Sequence, residues 1–353
     1  MWMLAAFAYN RTVVVGNSTA RILSRSRVTI GLYILGFATA AMVGLRFEVG
    51  ADWFNYLNNY NLVQFLSYSQ SLETSDFGYV SLVFVAAKLD TGIWLVNTIC
   101  GVIMVMGVAV FCARQYNPAL AFLVAVPYLI IVVGMGYTRQ GTAIGIVLAG
   151  LADVDGKKNM RFLLFVLMAA LFHRTALLVL PLALAPLARR NLLRAIGGAL
   201  AFIVLFVLLL RQSTDTLVAT YITQDYESSG AAVRVAMNVV PAILAIVLRN
   251  KLGFNEYQRD MWSVFALAAL AALVLVLVNT TSSTAIDRVA LFLIPLQLAI
   301  LPRLPYALGS TRQKNAQIFL GVCGYLAAIQ LVWLVFATHA SYWVPYKIVI
   351  SGA

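Results

Sequence analysis

Charge is what this sequence has least of. Asp, Glu, Lys and Arg make up 11% of its 353 residues, with only 13 acids, 2 histidines and 3 cysteines. A soluble domain carries about 25% charged residues, so this composition excludes one. Cys100, Cys112 and Cys323 lie at unrelated spacings in apolar runs, which excludes a disulfide framework or a cysteine metal site. No serine nucleophile elbow, HExxH zinc motif or Walker loop is present, so metal hydrolysis and ATP-driven transport lose ground. Alternating barrel-strand patterning is missing too, which leaves helices as the structure able to cross a membrane. Met1–Ala8 is apolar without a basic flank ahead of it, so no cleavable signal peptide is expected.

What is abundant is apolar length. The chain is 62% hydrophobic, and its mean hydropathy is +0.89. Uncharged runs recur at Val28–Leu45, Thr91–Ala113, Gln115–Thr138, Ala195–Leu210, Met261–Ile286 and Asn315–Thr338. Each approaches the roughly 20 residues that span a bilayer core. The expected architecture is all-α, a polytopic membrane protein of about 11 spans plus one re-entrant helix. Residues 1–27 form a basic extension, and 28–353 a single membrane domain.

The net charge of +12 comes from short basic clusters between apolar runs. That distribution orients membrane proteins and gives no footprint for nucleic acid. Arg11, Arg21, Arg25 and Arg27 precede the first span and place the N-terminus in the cytoplasm. Phe77–Leu89 is short for a crossing and reads as the re-entrant helix. Gln115–Ala152 carries one charge, Arg139, and as a single helix would reach roughly 57 Å, so the chain must turn near Gly134–Arg139. Phe162–Ala188 has basic clusters on both flanks, so two short helices meeting at His173–Arg174 are expected there. Ala195–Leu210 leads to a second outer loop containing Asp215, Asp225 and Glu227, and NTTSSTAIDR turns at the same face. The C-terminal HASYWVPYKIVISGA then lies outside. Most bases fall on the cytoplasmic side of this scheme and most acids on the outer side.

One stretch organises the rest. Arg46–Tyr60, RFEVGADWFNYLNNY, gathers Arg46, Glu48 and Asp52 with Trp53, Tyr56 and Tyr60 just after the first span. It serves either as an aromatic and basic anchor belt or as half of a site. The outer face also carries Arg139, His173, Arg174, Arg211, Arg234, Asp287, Arg288, His339 and Lys347. Ionisable groups beside spans usually face a cavity or a partner, although Arg46 and Arg288 could instead snorkel to headgroups. Several arginines with one or two acids suit a lipid-linked phosphate donor, because guanidinium forks grip phosphate oxygens and stabilise a diphosphate leaving group. Asp52 or His173 could take the proton of an acceptor hydroxyl, and Trp53, Tyr56 and Tyr60 suit stacking on sugar rings.

The succession RFEVGADWFNY, DFGYVSL, GYTRQGTAIGI, LFHRTALLVLPL, DRVALFLIPLQLAILP and YWVPYK resembles the EpsG family, within the broader Wzy-type polysaccharide polymerases. The resemblance runs from about residue 28 to 350. Family segments map onto Arg46, Gly50, Asp52, Arg139, Gln140, Phe172, His173, Arg288, Pro345 and Tyr346. Ala51 departs from the pattern, which usually has a hydroxyl residue beside the acid.

The resemblance implies a membrane glycosyltransferase at the outer face of the bacterial inner membrane. It would move a glycan from undecaprenyl diphosphate to another lipid-linked repeat unit, in exopolysaccharide or capsule biosynthesis, without metal or cofactor. Its partners would be the lipid-linked oligosaccharide, membrane lipid, and the flippase and chain-length regulator of the same pathway. Asp52, His173, Arg139 and Arg288 become the catalytic candidates; Arg46, Trp53, Tyr56, Gln140, Arg174 and Tyr346 the substrate-binding ones. A transporter or flippase would want inverted repeats and charges reaching both faces, and neither is seen. A ligase or acyltransferase of the same geometry stays open on residues alone.

Overall fold

A computed structural model describes residues 18–154, 159–188, 231–278 and 288–349. The expected span Ala195–Leu210, the loop carrying Arg211, Asp215, Asp225 and Glu227, and Asp287 lie outside the described residues, as do residues 1–17 of the basic extension. Among the described residues there is no strand, only an isolated bridge between Arg46 and Ile348.

The helices are α1 (Ser18–Gly44), α2 (Trp53–Val63), α3 (Tyr68–Ser71), α4 (Phe77–Lys88), α5 (Ile93–Ala113) and α6 (Pro118–Gly134, widened to a π-helix from Val126). They continue as α7 (Thr138–Leu151), α8 (Asn159–Ala170), α9 (Val179–Ala188), α10 (Ala231–Val247), α11 (Glu256–Val278), α12 (Arg288–Leu308) and α13 (Arg312–Phe336). Among the described residues, 4 helices (α5, α11, α12 and α13) are long and apolar enough to cross a membrane. Shorter apolar helices accompany them, so the described residues form an all-helical membrane protein.

Three expectations about breaks in the chain meet their counterparts here. The long run Gln115–Ala152 divides at Met135–Tyr137 into α6 and α7. Phe162–Ala188 divides after Ala170, and a 3-10 turn at Arg174–Leu178 starts the return through α9. Phe77–Lys88 is a short separate helix packed on α2 and α5.

Small residues set the closest approaches, as they do wherever membrane helices lack a hydrophobic driving force between them. Gly107 of α5 and Gly145 of α7 touch backbone to backbone: a Cβ on Gly107 would sit 2.0 Å from the Gly145 carbonyl oxygen. Gly44 and Gly101 do the same for α1 against α5, where a Cβ at Gly44 would lie 2.5 Å from Thr98 Cα. Helix α12 runs through the interior, with Leu291–Leu301 buried, whereas Leu331, Val335 and Phe336 of α13 face outward.

Charged contacts fall at the two ends of the bundle. At one end Asp153 joins Arg114 and Arg161, Arg249 joins Asp260, and Arg303 caps the Leu252 carbonyl while lying over the rings of Phe254 and Tyr116. The candidate residues assemble at the other end.

Candidate functional site

The turn after α1 places the opening stretch. Gly50 adopts φ of 103°, and a Cβ there would come within 2.2 Å of the Met135 carbonyl oxygen, so no other residue fits between α1 and α6. Gly50 oxygen then accepts from Trp53 N, closing a short turn with Asp52 at its exit, where α2 begins. Asp52 is half-buried and accepts at 3.4 Å from Asn55 Nδ2. Burial raises its carboxyl above the ordinary value, and the charges of Arg139, Arg288 and His339 oppose that rise.

Arg46 sits beneath this turn, fully buried. Its Nε donates to Val49 O at 3.2 Å and its Nη1 to Val43 O at 2.6 Å. Nη2 serves Thr138 Oγ1 at 2.7 Å and Asn97 Oδ1 at 3.4 Å, and the guanidinium lies 5.7 Å from the Trp53 ring centroid. Burial lowers it to about 10, so it stays charged at neutral pH. With every nitrogen engaged inside the protein, Arg46 is a brace between α1, α5 and α7. It neither snorkels nor offers a donor to a ligand. Arg46→Met is expected to leave its carbonyl and side-chain acceptors dry, at about 1–3 kcal/mol each, and to lower the thermal unfolding midpoint of the purified protein. An unchanged midpoint would contradict the brace.

Trp53 also differs from its expected place on a sugar ring. It is buried in a stack with Trp94, centroids 5.3 Å apart, and Phe47, 6.2 Å away. Tyr56 is buried as well, its side chain against the Arg139 guanidinium and its ring 5.5 Å from Tyr79. Tyr346 donates to the Met42 carbonyl at 2.7 Å from an exposed position.

The centre of the cluster is a carboxylate that is not among the candidates chosen from the sequence. Asp76, just before α4, accepts from Arg139 Nη1 at 3.1 Å on one oxygen and pairs with Arg174 Nε at 3.4 Å on the other. Ser75 Oγ accepts from the same Arg139 nitrogen at 3.0 Å. Burial pushes the Asp76 carboxyl up, and the two guanidiniums pull against it. Its place depends on Gly78, whose N–H donates to Leu171 O at 2.7 Å and whose missing Cβ lets α4 press against the break after α8. The one available signal was DFGYVSL, an acid one residue ahead of a short apolar helix.

His173 and Arg174 lie at that break. His173 Nδ1 is 2.8 Å from Thr175 Oγ1, and its ring stands edge-on to Phe292 at 6.2 Å. Burial first, then the charges of Arg139, Arg288 and Arg174, hold its pKa at about 3. The imidazole is therefore neutral at pH 7. Arg288, at the start of α12, acts on Asp52, Asp76 and His173 alike.

Four consecutive residues tie these pieces together. Tyr137 OH accepts from Arg234 Nη1 at 3.0 Å. Thr138 accepts from Arg46. Arg139 grips Asp76, and Gln140 Nε2 donates to the Arg288 carbonyl at 2.6 Å. Gln140 is itself buried, so its place is that of a brace for α12. Asn238 extends the brace, donating to Ala290 O at 3.3 Å and accepting from Gln297.

The structure thus gathers Asp52, Asp76, Arg139, His173, Arg174 and Arg288 in one electrostatic neighbourhood, and puts Arg46, Trp53 and Gln140 behind it. The arrangement is cationic, anchored by two acids, and suited to phosphate oxygens. Among the described residues, no three of His, Cys, Asp and Glu gather as a metal-ligand group. No curated protein and no solved structure matches the chain. The EpsG family profile matches residues 29–348, and on that coverage, with the six motifs in order, the chain belongs to the EpsG family.

Proposed function

We propose that this membrane protein is a polysaccharide polymerase that lengthens a glycan carried on a polyprenyl diphosphate. Family membership supports polysaccharide polymerisation in exopolysaccharide synthesis. The observation that carries the chemistry is Asp76 bridging Arg139 and Arg174 beside Arg288. In this reading Arg139, Arg174 and Arg288 bind the donor's diphosphate, each fork matching phosphate oxygens. The outer face of the inner membrane is where they work, next to a flippase and a chain-length regulator.

The transfer step balances without a nucleotide sugar. An acceptor hydroxyl oxygen attacks the anomeric carbon of the donor glycan, forming a new glycosidic bond. The bond from that carbon to the diphosphate oxygen breaks, and its electron pair leaves with the polyprenyl diphosphate. The arginines neutralise the charge that develops there. Asp52 takes the proton from the attacking hydroxyl, in the role of general base. Neutral His173 supports that transfer as a hydrogen-bond partner.

The sign of the pH dependence follows from the base. Asp52 must be ionised to accept the proton, and burial sets its pKa above the ordinary 3.8. Turnover is expected to fall as pH drops through an acid limb above that value, and Asp52→Asn should abolish turnover across the range. Full turnover in Asp52→Asn removes the base assignment. Purified protein incubated with lipid-linked repeat units tests the function itself. Lengthened glycans support polymerisation, and translocation without lengthening overturns it.

A further inference from the structure

The C-terminal segment after α13 folds back as a strap over the turn that carries Asp52. Phe47 N donates to Lys347 O at 3.0 Å, Val349 N to Leu45 O at 3.0 Å, and Arg46 and Ile348 pair antiparallel between them. Lys347 Nζ meets Glu48 at 2.8 Å. Nearer the acid, Gly50 N donates to Tyr342 O at 2.9 Å. Tyr342 is thus one hydrogen bond from the turn Gly50–Trp53.

Trp343 fixes the strap's own position. It is buried, its Nε1 donates to Ile131 O at 2.9 Å, and its ring stands edge-on to Trp333 at 5.1 Å. A Cβ on Gly136 would lie 2.3 Å from that ring, so the indole fills the space beside the lead into Tyr137–Gln140. One continuous path runs from Trp343 to Tyr342, Gly50 and Asp52. The strap also carries His339, whose ring lies 5.9 Å from that of Tyr342.

We infer that the C-terminal strap is the positioning element for Asp52, with Trp343 as its anchor and the hydrogen bond between Gly50 and Tyr342 as its hold on the turn. The inference rests on Asp52 being the base. Gly50 N donates to Tyr342 O, so the far end of the sequence joins Arg46 and Met135 in holding the turn. Misplacing a catalytic group by about 1 Å can cost about 10²-fold in rate. The strap is a positioning device and touches no reacting atom. It acts through turnover and leaves diphosphate binding at the arginines intact.

The test uses membrane vesicles containing the full chain and lipid-linked repeat units extracted from cells lacking the polymerase. Trp343→Ala is expected to lower turnover at least about 10-fold with KM for the extracted lipid unchanged. Trp343→Phe keeps the ring between Gly136 and Trp333 and should retain most turnover. If Trp343→Ala does not accumulate in the membrane, Lys347→Met, which frees the strap's exposed ion pair with Glu48, carries the test through lowered turnover. Unchanged turnover in Trp343→Ala, or in Lys347→Met where Trp343→Ala does not accumulate, overturns the inference. Asp52→Asn measured alongside separates the two failures. If Asp52→Asn is active, the base assignment falls; if it is inactive while Trp343→Ala is active, only the strap falls.

Discussion

Arg139→Ala is expected to leave cells accumulating single lipid-linked repeat units, with turnover lowered by about 10²–10³-fold, the scale for losing one preorganised donor at a developing charge. Arg139 is the residue through which Asp76, Ser75 and the side chain of Tyr56 meet. Alanine removes the proposed diphosphate ligand and releases the Asp76 oxygen that Arg139 holds, leaving the acid its ion pair with Arg174. The acid is left partly desolvated, and its uncompensated charge opposes the incoming phosphates. Arg139→Lys keeps the charge but loses the planar fork, and should recover only part of the rate. Gel analysis of polymer length and chromatography of the lipid-linked pool read both results. Polymer of normal length from Arg139→Ala would remove Arg139 from the chemistry.

The second large effect concerns folding. Gly145→Val is expected to destabilise the protein by about 3 kcal/mol or more, at the upper end of overpacking costs. A Cβ at Gly145 would lie 2.4 Å from Met104 Cα and 2.7 Å from its carbonyl oxygen. These are backbone atoms and cannot rotate away, so α5 and α7 must separate. Met104 also packs against Gly134 and Gly141, so the shift reaches the start of α7. Gly321→Val is the control, since a Cβ there meets nothing within 4 Å. Thermal unfolding of detergent-purified protein measures the difference. Equal midpoints for the two variants would refute the close contact.

Much of the helix plan was legible before the structure. Arg139 inside a long apolar run and basic clusters flanking His173–Arg174 both signalled breaks, because a lone charge marks where helix meets water. The gathering of Asp52, Arg139, His173 and Arg288 at one end could be anticipated from the same scarcity. What a single chain could not reveal was direction. Arg46 and Trp53 read as outward-facing polar and aromatic groups, yet Arg46 turns inward to carbonyls that only the kink after α1 exposes. Asp76 was hidden for the opposite reason. A loop acid is unremarkable until two arginines, 63 and 98 residues away in the chain, close on it. Tyr346 and Trp343 depended on the chain's end returning to its beginning, which no local pattern encodes.

Tyr137, Thr138, Arg139 and Gln140 have a further consequence. They emerge in turn around the first turn of one helix, about 100° apart, and each direction holds a different part of the molecule. The angular phase of α7 is therefore a single shared variable for α10, α1, α4 and α12. Adding one residue between Met135 and Gly136 would rotate all four grips together, whereas a point substitution releases one. Tolerance to insertion should be lowest at this joint, and the sequence between α6 and α7 is bound to an exact length.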